Sequence, residues 1–276
     1  MGSIRWIYDL TVILYALSVL GYFIDFLQNN RKANRIAFWL LSIVWVLQLF
    51  VLFIRVFENN RFPILTPTEG LFFYSWILVT LSLLINWFFR VDFFVFFTNI
   101  IGFILMTVSW FSPNDQVPSG ISDQLINELA IIHITMAFSA YGAFTLSSIL
   151  SIMYLVQYNM LKQKKVGKLL WRFDSLTKLE SLPFLLNMIG VPMILLSLIL
   201  GLIYGYNIGL YPAIWWDAKV ISSFLVIIVY SCYLYLKVAK GAHGRQLAYW
   251  NIAGLLVILI NYFLAATLTE FHLWYQ

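Results

Sequence analysis

A chain of 276 residues is long enough for a sizeable soluble core, but 62% hydrophobic residues, 11% charged residues and a mean hydropathy of +0.86 lie far outside the soluble range. The composition excludes a soluble globular protein and points to an all-α polytopic membrane protein, since lipid cannot satisfy a bare backbone. The formal net charge of +5 is accounted for by basic membrane loops and gives nucleic-acid binding no support.

Apolar runs of roughly 20 residues, each enough to cross about 30 Å of hydrocarbon as helix, are predicted near residues 6–27, 36–57, 70–89, 91–111, 129–158, 183–205, 217–237 and 247–269. These make eight transmembrane helices in one membrane domain, 1–276. The first run is long and lacks a small-residue cleavage site, so it reads as a retained span and not a signal peptide. Arg31, Lys32 and Arg35 follow it, Arg90 lies between the third and fourth runs, and Lys162, Lys164, Lys165, Lys168, Arg172 and Lys178 follow the fifth. Lys237, Lys240 and Arg245 follow the seventh. These residues fall on one side of an alternating topology and hold most of the 17 basic residues, which marks that side as cytoplasmic. Asp9, Glu58, Glu69, Asp115, Asp123, Glu128, Asp217 and Glu270 fall on the other side. Both termini are therefore expected outside the cytoplasm.

The first four spans, 1–111, are rich in Phe and Trp and poor in ionisable groups, and read as scaffold. The turn-rich segment Ser112-Pro-Asn-Asp-Gln-Val-Pro-Ser-Gly120 separates them from 121–276, where all the histidines lie. Glu69 opens the third span, either as a helix cap or as a site residue. Lys162-Gln-Lys-Lys165, in the long loop from Asn159 to Ser181, suits anionic membrane lipid headgroups. Cys232 is alone, so no disulfide, Cys-x-x-Cys redox pair or Cys-x-x-Cys-His haem attachment site exists.

His133 opens the fifth span and shares a helical face with Met136, Ala137, Ala140, Tyr141 and Phe144. The small residues there admit either a flat ring or a neighbouring helix, and an intramembrane histidine is a functional candidate by default. The strip Tyr211-Pro-Ala-Ile-Trp215-Trp216-Asp217 joins the sixth and seventh spans. Its indoles suit either an aromatic belt or the face of a macrocycle. Asp217 is placed to cap the seventh helix, and Lys219 is a cation on an otherwise acidic side. His272 lies past the eighth run, among Trp274 and Tyr275, and reads as an interfacial anchor or a ligand. The topology puts His133, His272 and the tryptophan strip on the same outer side. His243 falls on the cytoplasmic side, in a basic loop.

Two neutral imidazoles from different helices can hold one haem iron without covalent attachment. The expectation is a non-enzymatic site for haem b with His133 and His272 as metal ligands, and with Tyr211, Trp215, Trp216, Asp217, Lys219 and Glu69 around the cofactor. No pair of related halves with broken midplane helices supports a solute transporter.

Several segments together resemble the haem-handling membrane proteins of cytochrome c assembly, the CcsA, ResC and CcmC group. Phe62-Pro-Ile-Leu-Thr-Pro-Thr-Glu69-Gly-Leu-Phe-Phe-Tyr-Ser-Trp76 is similar to that family's Pro, Glu and Ser-Trp pattern, and His133-Ile-Thr-Met-Ala-Phe-Ser-Ala-Tyr141 to the segment with its first outer histidine. Trp215-Trp216-Asp217-Ala-Lys219 is similar to the centre of its tryptophan-rich motif, and Phe271-His272-Leu-Trp274-Tyr275 to the terminal segment with its second outer histidine. Ile208-Gly-Leu-Tyr211 stands where haem-handling members carry an earlier Trp-Gly, and Ala218 and Val220 where they carry Pro and Glu. Embedded histidines of some members have no counterpart in the early spans. Length and the eight-span layout resemble the branch encoded with haem biosynthesis genes in Gram-positive bacteria. That resemblance implies a bacterial cell membrane protein that binds haem and sets the amount of glutamyl-tRNA reductase; the basic cytoplasmic loops are expected to meet a cytoplasmic haem-pathway enzyme or protease. The alternative that the resemblance implies is haem delivery or export for cytochrome c assembly on the outer face.

Overall fold

The computed structural model describes residues 2–59, 61–64, 66–89, 92–112, 128–164, 173–207, 209 and 212–264. Among them the chain is helical and contains no strand. The helices are α1 Gly2–Gln28, α2 Arg31–Asn59, α3 Pro67–Phe89, α4 Asp92–Phe111, α5 Glu128–Lys162 and α6 Leu176–Asn207. A 3₁₀ turn Ala213–Trp216, α7 Ala218–Val238, α8 Arg245–Leu259 and a π turn Ile260–Leu264 follow. Eight of these helices are long and apolar enough to cross a membrane.

Local chemistry sets the helix ends. Asn29 adopts a left-handed conformation with φ 54° after α1, which Asn tolerates better than most residues. The Asn30 carboxamide oxygen then accepts the N–H groups of Lys32 and Ala33 and caps α2. At the start of α3, the Thr66 hydroxyl accepts Glu69 N–H while the Glu69 carboxylate accepts Thr66 N–H. This reciprocal pairing is a capping box, with Pro67 at the first helical position, where its missing N–H costs nothing. The sixth helix starts at Leu176, ahead of the apolar run near 183, and keeps Pro183 and Pro192 inside it. Ser175 Oγ accepts Lys178 N–H at its start.

Two compact units divide the chain, residues 1–122 and 123–276. In the first, hydrogen bonds tie the helices together in an apolar setting where such bonds hold helices in register. Tyr15 donates to Asn99 Oδ1 at 2.9 Å and Asn99 Nδ2 to Ser82 Oγ at 3.0 Å. Gln48 Nε2 donates to Ser75 Oγ, whose hydroxyl passes to the Gly102 carbonyl. Tyr8 stacks on Trp110 with ring centroids 4.8 Å apart, and Arg55 lies over the Tyr8 ring. The outward faces of α1 and α2 present large apolar side chains such as Ile13, Leu17, Trp39 and Phe50, as lipid requires.

In the second unit α5 is the central helix, packing on α6 and α8. Phe144 of α5 stacks on Tyr230 of α7 at 3.8 Å. Two glycines make room for that pair. A Cβ on Gly190 would stand 2.6 Å from Phe144 Cε1, and one on Gly254 would stand 2.9 Å from Tyr230 Cζ. Beside the stack, the buried Asn251 side chain donates to Ser147 and Ser151, its Oδ1 accepts from Asn187, and Ser147 donates to the Pro183 carbonyl.

Candidate functional site

The start of α5, the end of α6, the start of α7 and the π turn surround a cavity of about 70 Å³. Ile134, Ala137, Phe138, Ile194, Leu198 and Val220 make its wall mostly apolar, and His133, Ser197, Lys219, Ser223 and Tyr262 supply its polar groups.

His133 is held from α6. Its Nδ1 lies 2.6 Å from the Ser197 carbonyl oxygen and 3.0 Å from Ser197 Oγ, while that hydroxyl donates to the His133 carbonyl at 2.8 Å. A carbonyl only accepts, so Nδ1 carries the proton and donates it. In the neutral ring the Nε2 lone pair is then available, and Nε2 has no hydrogen bond among the described residues. The ring lies against Gly201, one turn after Ser197. A Cβ there would stand 2.7 Å from His133 Cε1, 2.9 Å from Nδ1 and 3.2 Å from Nε2.

Lys219 lies across the cavity. Its ammonium donates to the Asn261 carbonyl at 2.9 Å and sits 5.7 Å from the centre of the Tyr262 ring. Asn261 is the hub of this wall. It accepts from the Tyr141 hydroxyl at 2.6 Å through Oδ1, and donates to Ser222 at 2.8 Å and Ser223 at 3.1 Å through Nδ2. Asn261 belongs to the π turn that ends α8, an irregularity frequent at functional sites.

The sequence-expected residues separate into groups. His133 and Lys219 meet in the cavity. Asp217 is the N-cap of α7, in extended conformation, with Oδ1 accepting Lys219 N–H at 2.8 Å. Trp215 is 49% exposed and Trp216 84%, whereas Ile214, 4% exposed, is the residue of the 3₁₀ turn that packs inward on Leu198 and Val220. The tryptophan pair is therefore not part of the cavity lining. Glu69 lies in the first unit, its carboxylate held by the Arg61 guanidinium through bonds of 2.9 and 3.0 Å. Tyr211 and His272 lie outside the described residues. His243 sits at the other end of α7, its Nδ1 3.0 Å from the Glu180 carboxylate, which also takes the Lys237 ammonium at 2.6 Å.

Sequence reasoning did not single out Ser197, Gly201, Asn261 or Ser223. The signals existed in part. Ser197 and Gly201 form a small-x-x-x-small pair, which marks close helix approach, and Asn261 is an amide inside an apolar run.

Eight apolar helices define the chain as a multi-pass membrane protein. It belongs to the cytochrome c assembly protein family, whose pattern matches residues 64–273. It is similar to Protein HemX of Bacillus subtilis (strain 168), 53% identical over 96% of each chain, and to Protein HemX of Brevibacillus brevis, 46% identical over the full length of both. At greater distance it is similar to the cytochrome c biogenesis protein CcsA of Mesostigma viride, 26% identical over 77% of this chain and 76% of that one. The family match takes in α3 to α8 and with them the cavity.

Proposed function

We propose that this chain is a non-enzymatic haem-binding membrane protein that adjusts haem synthesis. The observation that carries the reading is His133, whose Nδ1–H is donated to the Ser197 carbonyl while Nε2 carries no hydrogen bond among the described residues. Metal-bound histidines characteristically donate the other ring nitrogen in this way. Bound haem b would supply an iron that imidazole nitrogen can hold, with His133 and His272 the residues that would hold it. The donor, the apolar wall and the Lys219 cation suit that ligand and its carboxylates. At about 70 Å³ the cavity is smaller than the roughly 300–1,000 Å³ of pockets that enclose a small molecule. Tyr211, Trp215, Trp216 and Asp217 on the outer strip, and His272 as second ligand, are proposed to complete the enclosure.

The similarity to the HemX proteins supports regulation as the purpose of binding. Occupancy at the outer site would shift the packing of α5 to α8, and with it the presentation of the basic loops after α5 and α7 to a cytoplasmic haem-pathway enzyme or protease that sets glutamyl-tRNA reductase levels. Such coupling requires that haem favour one of two packings over the other.

The test is the absorption spectrum of detergent-purified protein with haem, compared with His133→Ala and His272→Ala. A low-spin Soret and α-band pattern lost in either variant supports the bis-histidine site, and identical spectra in all three refute it. The family match and the CcsA relatives favour a second reading, haem delivery to apocytochromes. Deleting the protein should abolish c-type cytochromes under that reading. Under the first it should leave them intact and change pathway-enzyme levels.

A further inference from the structure

We infer that Ser197 and Gly201 are positioning residues that lock His133 as the Nδ1–H tautomer and leave Nε2 as the ring's only coordinating atom at the cavity. The inference rests on the haem reading for the identity of the metal, but the lock itself is a property of the protein without ligand.

Three contacts make the lock, all from one turn of α6. The Ser197 carbonyl takes the Nδ1 proton at 2.6 Å, and Ser197 Oγ lies 3.0 Å from the same nitrogen. The Ser197 hydroxyl also donates to the His133 carbonyl at 2.8 Å, tying the backbone of α5 to the residue that orients the ring. The absence of a side chain at Gly201 supplies the space. A Cβ there would stand 2.7 Å from Cε1 and 2.9 Å from Nδ1, closer than a Cβ can sit, and 3.2 Å from Nε2, so the ring would swing away from the carbonyl. The alternative tautomer is unfavourable because it would set an Nδ1 lone pair against a carbonyl lone pair and leave that proton's acceptor unmatched. Ring orientation through the second nitrogen fixes the tautomer and raises ligand basicity. The role is one of positioning, since neither residue needs to touch the ligand.

The test uses the full-length protein in detergent without haem. The chain has 3 histidines, so His243→Gln with His272→Gln leaves His133 as the sole ¹⁵N-imidazole signal. The Nδ1–H tautomer is expected to exceed the other by about tenfold, the ratio that one good hydrogen bond supports. In the same background Gly201→Ala should bring the two tautomers near parity. Ser197→Ala, which creates no clash, should lower the ratio less, with Ser197→Thr restoring it. Circular dichroism establishes that each variant is folded; if Gly201→Ala is not, the Ser197 pair decides. An Nε2–H tautomer in the parent, or a ratio unmoved by the folded variants, overturns the inference. A fixed tautomer in a protein that never binds haem would sink the haem reading and leave the positioning intact. Haem bound through a His133 with mixed tautomers would do the reverse.

Discussion

A carboxylate at the start of a membrane span persists only if its charge is met, and Arg61 meets that of Glu69 with two parallel bonds of 2.9 and 3.0 Å. Both side chains are largely buried, 11% and 7% exposed, so removing the guanidinium breaks a buried ion pair and not merely a surface one. Arg61→Ala should cost about 3 kcal/mol, the low end for a broken buried pair, because Thr66 N–H still donates to Glu69. Arg61→Lys should recover part of that loss, since it keeps the charge and forfeits the fork. Thermal unfolding in detergent measures both. A capping and charge-pairing role predicts that the haem spectrum of Arg61→Ala matches wild type. A role for Glu69 at the cofactor predicts a shifted spectrum. Residues were legible in the sequence where their chemistry was out of place in lipid, as with His133 and Lys219. Ser197 and Gly201 were not, because small residues are ordinary in spans and their partner is 64 residues away for Ser197. The 3₁₀ turn shows a finer limit. Composition marks it as aromatic and interfacial, but only its backbone decides that Ile214 turns inward and Trp216 outward.

At the scale of elements, the spans were readable because each must be apolar over a membrane's thickness, whatever it packs against. The α6 helix starts ahead of its apolar run because its first turns, with Lys178 and Glu180, are polar and helical at once. Inside the bundle Pro183 stays within α6, and its carbonyl takes an interhelical bond from Ser147 of α5 at 3.1 Å. The end of α8 is a second element that periodicity cannot give. Its regular ladder changes to a π turn at Ile260–Leu264, where Asn261 exchanges side-chain bonds with Tyr141, Ser222 and Ser223 and its carbonyl takes Lys219. Those interhelical bonds to α5 and α7 offer a reason for the irregular turn. Asn261→Ala removes the three side-chain bonds and should destabilise by about 1–2 kcal/mol, since each such bond contributes roughly 0.6 kcal/mol in a membrane protein. Hydrogen exchange should show faster exchange of the amides of 260–264 than in wild type, with α5 unchanged at Ser147–Ser151. Unaltered protection at 260–264 would mean that the turn is held by packing and not by Asn261.

For the whole molecule, the proposed site makes sense only if the segments it draws on face the same side of the membrane. The described residues place His133, Ser197, Lys219 and Asn261 at one end of the second unit, and Glu180, Lys237 and His243 at the other end of α6 and α7. We propose from charge that the second end faces the cytoplasm: Lys237, Lys240 and Arg245 cluster there, and basic residues in short loops stay inside. Thiol labelling reads this directly, because Cys232 is the single native cysteine. In a Cys232→Ser background, Ser112→Cys, after α4, should react with a membrane-impermeant maleimide in intact cells. Lys240→Cys, between α7 and α8, should react only after permeabilisation. The reversed pattern would put His133 on the cytoplasmic side. Delivery of haem to the outer face would then lose its geometry, while a sensor of cytoplasmic haem would keep it, so the same two cysteines weigh the two functional readings as well as the topology.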